Sequence, residues 1–540
     1  MARRLWLGVG ALALGAAMLV AAQLASASRG FRHGGILNVG FVGASPQVDP
    51  QLSWITAGWW LEYATAAKLY NYPDHPGQAG ALLRPEVASG YTVSRDGRTY
   101  TFAIRRGFRF SDGSPVTAKN FAYAIDRAAN HSLASPAAPF ITDPGGTNIV
   151  GAKRVNDGKA THVRGVVAKG YRLVIQLTRR DPTLLTKLAM PFFQATSTTL
   201  PLTKEKLSGY PSAGPYAFVN NVPDELTQLR RNRYYRGGRP HRLDGVDVRW
   251  SLEPETGYRQ VVSGELDEGP LPDGEVAGVA QQYHINKSRL WVEPTDCLGY
   301  LAINTLRPEF RGNVALRRAL NWAVDRRAAL AYVPPYSASP WTHLLPPGTP
   351  GSITAKNRQP YAGAPNLSKA RRLAAGHVRH GVVTVGYRST TASGLPQAQL
   401  VRSTLEAIGF RAADVKLKGF SGADLYDAMG HRNSNLDLGV SLGWCSDYPD
   451  PLAMLEIGFD STESGAAKYH HRLLAAQRLS GAARLKALGE LDLAITTKLA
   501  PEVVMRTYNS RYFFSERVNP RSLVYSGAYQ DWSIPALALK

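Results

Sequence analysis

VVTVGY at residues 382–387, QAQLVRSTLEAI at 397–408 and DVKLK at 414–418 follow one another as strand, helix and strand. The outer two are short and alternate in period two, whereas the middle one spaces its apolar residues for one face of a helix. The pattern continues on both sides. Upstream, residues 300–304 read as a strand, 314–331 as a helix, the region to Pro350 as a proline-rich loop and 367–375 as a helix; downstream come a helix at 422–429 and a strand at 436–442. Strands alternating with helices predict an α/β domain with a largely parallel sheet.

The first half of the chain reads differently. A strand at 35–40 and a helix at 54–70 lead to Tyr72-Pro73, where proline cannot continue a helix. Residues 91–94 and 99–104 flank Arg95-Asp96-Gly97-Arg98, a hairpin turn, and Thr117 is placed to cap a helix at 118–129. Strands follow at 165–167 and 171–177, a helix at 183–190, and strands at 214–219, 225–231 and 246–250. The last 40 residues return to short strands and turns, expected to fold back on an earlier domain.

At 540 residues the chain is long enough for about three domains, or fewer large ones. It carries a net charge of +22, yet its basic residues are scattered as singles and pairs such as Arg105-Arg106, Arg179-Arg180 and Arg371-Arg372. A nucleic-acid binder gathers such residues in a stripe with stacking aromatics, so no nucleic-acid partner is expected. A solvated surface, or attraction to an anionic membrane or wall, accounts for the charge.

Arg3 and Arg4 precede an almost wholly apolar run at 5–24 and the small residues Ala25-Ser26-Ala27. This is an export signal over residues 1–27, either cleaved or retained as an anchor. No cysteine lies near its end, so the chain is not a lipoprotein. Its only cysteines, Cys297 and Cys445, read as a disulfide in an exported protein. The sequence holds no G-x-S-x-G elbow, H-E-x-x-H or P-loop, no CxxC and no Cys/His cluster. Neither an enzyme nor a metal or other cofactor is expected, and His470-His471 reads as surface.

Several segments in order resemble one family. LRPEVA at 83–88, DGRTYTF at 96–102 and RGFRFSDGSPVTA at 106–118 are joined by GPY at 214–216, RNRYY at 231–235, SGELD at 263–267, and the region from Asn304 to Arg317, Ala319 and Asp325-Arg326. Together they are similar to the family 5 extracellular solute-binding proteins, which include bacterial dipeptide- and oligopeptide-binding proteins. GWCSDYPDP at 443–451 resembles the ligand-site segment of the oligopeptide-binding members, some of which pair a cysteine there with one at the position of Cys297.

The resemblance implies an α/β, class II periplasmic-binding-protein-like fold: two lobes around a ligand cleft, with an extra inserted domain. Lobe I would comprise residues 35–75, 205–295 and 503–540, the inserted domain 76–204 and lobe II 296–502. The implied function is to capture a peptide-like solute in the periplasm or at the cell surface and deliver it, as a monomer, to an ABC permease and its ATPase. Oligosaccharide or metal-chelate binding, or a sensor or adhesion role without transport, are the alternatives.

A zwitterionic peptide needs an anion, a cation and strand-like edges. Asp447 is the candidate anion for an ammonium group. Gly443 and Cys445 are candidate backbone partners, Trp444 and Tyr448 candidate walls, and Asn304 a further candidate contact. Each has an ordinary structural reading as well: Asp447 as a turn residue, Trp444 as a core aromatic, Asn304 as a strand-end residue. Arg317, Arg318 and Asp325 fall on the 314–331 helix and read as surface or ion-pairing residues.

Overall fold

The parallel unit forms where the alternation placed it. In the computed structural model, which describes residues 31–76, 79–143, 147–379, 381–430, 434–456 and 465–540, the strand Val383–Arg388 pairs in parallel with Val415–Phe420 and with Leu438–Cys445. The export segment at 1–27 lies outside the described residues. The helix Gly394–Ala407 lays Ala398, Val401 and Leu405 on a core containing Val383, Val385 and Leu438. Each Val or Leu side chain so buried stabilises the fold by about 1.5–3 kcal/mol.

Two predicted helices are shorter than their spacing suggested. The 314–331 helix breaks into Val314–Ala323 and Arg326–Leu330. Asp325 leaves the helical conformation, and its carboxylate accepts hydrogen bonds from the N–H groups of Arg327 and Ala328, capping the second piece. Arg317, expected at the surface or in an ion pair, is fully buried and donates to the carbonyls of Leu499 and Phe310. The 54–70 helix is Thr56–Thr65, because the carbonyls of Lys68 and Leu69 accept from Val87 and Ala88 instead of continuing the helix.

The hairpin Ala88–Val93 and Thr99–Ile104 turns at Gly97, whose φ of 71° favours glycine. It forms a four-stranded antiparallel sheet with Arg172–Gln176 and Val166–Lys169. Thr117 caps Ala118–Ala129 through a reciprocal box with Asn120.

A larger sheet runs through the molecule in the order Val415–Phe420, Val383–Arg388, Leu438–Cys445, Leu290–Ile303, Glu502–Phe514, Glu268–Gly269, Ile36–Gly40, Gly245–Arg249, Leu226–Arg231 and Tyr216–Val222. Its centre is two long antiparallel strands of 14 and 13 residues, Leu290–Ile303 and Glu502–Phe514. They pass from one core to another: Val503 and Met505 pack with Val383 and Val385, whereas Tyr512 and Phe514 pack with Trp60 and Trp532. Their register slips between Pro294 and Leu298 and again at Gly299–Tyr300. The C-terminal residues fold back on the first helix, where the Trp60 indole donates to the Trp532 carbonyl at 2.8 Å.

Candidate functional site

Where the long strands cross, a cavity of about 640 Å³ opens between the two halves. One wall is Trp54, Ile55, Thr56 and Trp59 with Ala528, Tyr529 and Gln530; the other is Tyr426 with the run from Gly443 to Asp447. The second wall is anchored on both sides. Cys297 and Cys445 stand opposite each other on neighbouring antiparallel strands and are joined by the disulfide that the cysteine count indicated. Two residues past Asp447 toward the helix at 452, Pro449 is followed by Asp450, whose carboxylate takes both Arg484 Nη groups at 2.7 and 2.8 Å and the N–H of Leu452. A buried bidentate pair of this kind fixes the loop that carries Asp447.

Asp447 is half-buried on the cavity wall, and burial pushes its carboxyl up to about 6, opposed by a hydrogen bond from Trp54. It is therefore ionised at neutral pH, and among the described residues no cation is paired with it. Trp54 belongs to the opposite wall, so this hydrogen bond spans the cleft. Gln530 spans it too, accepting from the Asp296 N–H at 3.2 Å and donating to the Ser446 carbonyl at 3.5 Å.

The model of the bacterial extracellular solute-binding proteins, family 5, matches residues 83–466. The chain belongs to this family. The oligopeptide-binding protein OppA of Bacillus subtilis is 26% identical over 394 residues, covering 69% of this chain and 68% of that protein. The periplasmic oligopeptide-binding protein OppA of Escherichia coli is 24% identical over 407 residues, 71% of each chain. Among solved structures, clavulanic acid biosynthesis oligopeptide binding protein 2 superposes with a TM-score of 0.81 at 21% identity, over 94% of this chain and 96% of that one. The unliganded open form of the murein tripeptide binding protein MppA gives 0.72 at 21% identity, over 94% and 97%. The fold is the two-lobed class II arrangement of family 5, with the cavity in its cleft. No helix among the described residues is long and apolar enough to cross a membrane.

Within this family 5 cleft the residues singled out from sequence part company. Asp447, Trp444, Gly443 and Cys445 line the cavity together. Trp444 packs one side against the Leu298, Leu344 and Leu452 cluster, and its buried indole N–H has no partner among the described residues. Tyr448 does not line the cavity: it is buried, edge-on to Phe140 at 6.1 Å and under the Lys187 ammonium at 5.4 Å. Asn304 also lies apart from it, its amide donating to the Leu436 carbonyl and its oxygen accepting from Leu306 N–H, which is the strand-end role.

Gly443 presents its N–H and C=O away from its strand partner, but both groups are engaged. The Tyr426 hydroxyl donates to the Gly443 carbonyl at 2.8 Å and accepts from its N–H at 2.9 Å. A phenol here occupies the donor–acceptor pair that an added strand needs. The sequence reading missed Tyr426, Trp54, Trp59 and Gln530. The tryptophan cluster at 54–60 was a usable signal, since Trp54 stays 41% exposed in front of its helix; Tyr426, within the helix expected at 422–429, offered none.

Proposed function

We propose that this protein is the exported substrate-binding component of an ABC importer, taking a peptide with a free amino terminus into the cleft and presenting it to a permease. The observation that carries this reading is Asp447, a carboxylate on the cleft wall that pairs with no cation among the described residues and is hydrogen-bonded across the gap from Trp54. An ammonium group supplies the missing charge, and a charge-assisted pair in a partly desolvated cleft is stronger than an exposed one. The names of relatives such as the Bacillus subtilis OppA support the same class of ligand.

In this reading the lobes keep the division that the family resemblance implies, with residues 35–75, 205–295 and 503–540 in one, 296–502 in the other and 76–204 inserted. The hinge is the irregular part of the long strands, where pairing slips between Pro294 and Leu298. A strand that loses ladder bonds at one place bends there at least cost. Ligand favours the closed arrangement because it touches both walls. The export segment delivers the protein, as a monomer, to the outer face of the membrane.

A thermal-shift screen against di-, tri- and oligopeptides, oligosaccharides and metal chelates tests this reading, because a ligand that binds only the folded state raises the melting temperature. Peptides alone are expected to raise it; a rise with sugars or chelates and none with peptides contradicts the proposal.

Affinity for a free-amino peptide is expected to fall about tenfold between about pH 7 and about pH 5, because a carboxyl near 6 is about one-tenth ionised one unit lower. The sign follows from the pair: only the ionised carboxylate attracts the ammonium, so protonation opposes binding. Titration calorimetry at the two pH values measures this, and a flat profile removes Asp447 from the ligand contact. Replacing Tyr426 by Phe frees both Gly443 groups, and peptide binding is expected to tighten about three- to tenfold, the net worth of one or two hydrogen bonds. Unchanged or weaker binding shows that the ligand does not use this edge.

A further inference from the structure

A second cavity, of about 880 Å³, shares no lining residue with the cleft. It lies where residues 84–86 and 105–108 meet the 236–242 loop and the C-terminal segment at 521–536. Seven arginines and two carboxylates line it. Arg239 is committed to the two acids: it donates to Asp74 at 2.8 and 3.1 Å and lies 3.9 Å from Glu86. The other six, Arg84, Arg105, Arg106, Arg236, Arg242 and Arg521, have no carboxylate partner among the described residues.

Several of these guanidinium groups are held in place. Arg236 donates to the Arg233 and Tyr235 carbonyls, Arg242 donates to the Ala536 carbonyl, and Arg106 stacks over the Tyr171 ring at 4.3 Å. At the cavity wall stands Asn71, 4% exposed. Its Oδ1 accepts from the Tyr72 N–H, while its buried Nδ2 donor has no partner among the described residues. Six like charges gathered around two carboxylates already engaged by Arg239 repel one another, and a buried donor left unpaired is costly; an oxyanion relieves both. Guanidinium forks match phosphate oxygens bidentately, and the cavity has room for more than one such group.

We propose that this cavity is an anion site, separate from the cleft, for a ligand bearing two or more phosphate groups, either free or as the phosphodiester headgroups of an anionic lipid surface. The test compares three full-length proteins: the wild type, the variant Arg84→Ser/Arg105→Ser/Arg521→Ser, and a control of equal charge, Arg95→Ser/Arg172→Ser/Arg478→Ser. Each is titrated with tripolyphosphate and sedimented with vesicles of phosphatidylglycerol in phosphatidylcholine, against vesicles of phosphatidylcholine alone. The first variant is expected to lose about tenfold or more in binding to at least one probe while the control keeps it, since each exposed arginine removed takes away a charge-assisted contact. Loss confined to tripolyphosphate assigns a free ligand; loss confined to the anionic vesicles assigns a lipid headgroup. The proposal is overturned if wild type binds neither probe, if the first variant binds both as wild type does, or if the control loses as much. An unchanged melting temperature without ligand, and unchanged peptide binding, show that the variant is folded.

Discussion

Asp447→Asn weakens binding of a free-amino peptide by about 2–5 kcal/mol, about thirtyfold to several thousandfold, and leaves the protein folded. Asparagine keeps the size of the side chain and an oxygen for the Trp54 hydrogen bond, so what is lost is the charge. The ligand-free protein should meanwhile melt slightly higher near neutral pH. Burial raises the folded carboxyl from 3.8 to about 6, so ionising it costs the folded state, and that cost is present above about 6 and fades as the group protonates. Weaker binding together with equal or greater stability is a pair of changes that general damage to the fold cannot produce. Titration calorimetry and a melting curve on the same sample check both, and unchanged affinity removes Asp447 from the site.

Removing the disulfide has the second large effect. Cys297→Ser/Cys445→Ser opens a loop of 148 residues in sequence and is expected to cost about 2–5 kcal/mol of stability, because the unfolded chain regains the freedom that the bridge denied it. The bond also ties the wall carrying Asp447 to the strand that crosses between lobes, so peptide affinity should fall with it. Denaturant midpoints of wild type and variant, with and without reductant, measure the first effect. Equal midpoints contradict a structural role for the bridge.

What sequence revealed was local chemistry. Gly97 in its turn, Thr117 with Asn120 and the alternating strands of the parallel unit are each decided within a few residues, and each is present. The two cysteines were legible as a pair because nothing else in the chain could partner them. The central strands were not. Pro294 and Gly299 interrupt the alternation of Leu290–Ile303, so only its last residues read as a strand, although it pairs with Glu502–Phe514 from Leu290 to Pro294 as well as from Leu298 to Ala302. Arg317 read as a surface or ion-pairing residue because an arginine on a helix usually is; the Leu499 carbonyl that receives it comes from a distant part of the chain.

The site divides the same way. Gly443 to Asp447 is one continuous segment and could be read as a unit, whereas Trp54, Tyr426 and Gln530 reach the cavity from three distant parts of the chain. Tyr448 shows the limit of reading by adjacency: one residue beyond Asp447, the side chain turns from the cleft into the core against Phe140.

The claim that Asp447 receives a peptide's amino terminus is tested most directly by titrating the protein with one tripeptide in two forms, with a free amino group and N-acetylated. The free form is expected to bind and acetylation to cost about thirtyfold or more, an effect that disappears in Asp447→Asn. Equal binding of both forms by the wild type would contradict it.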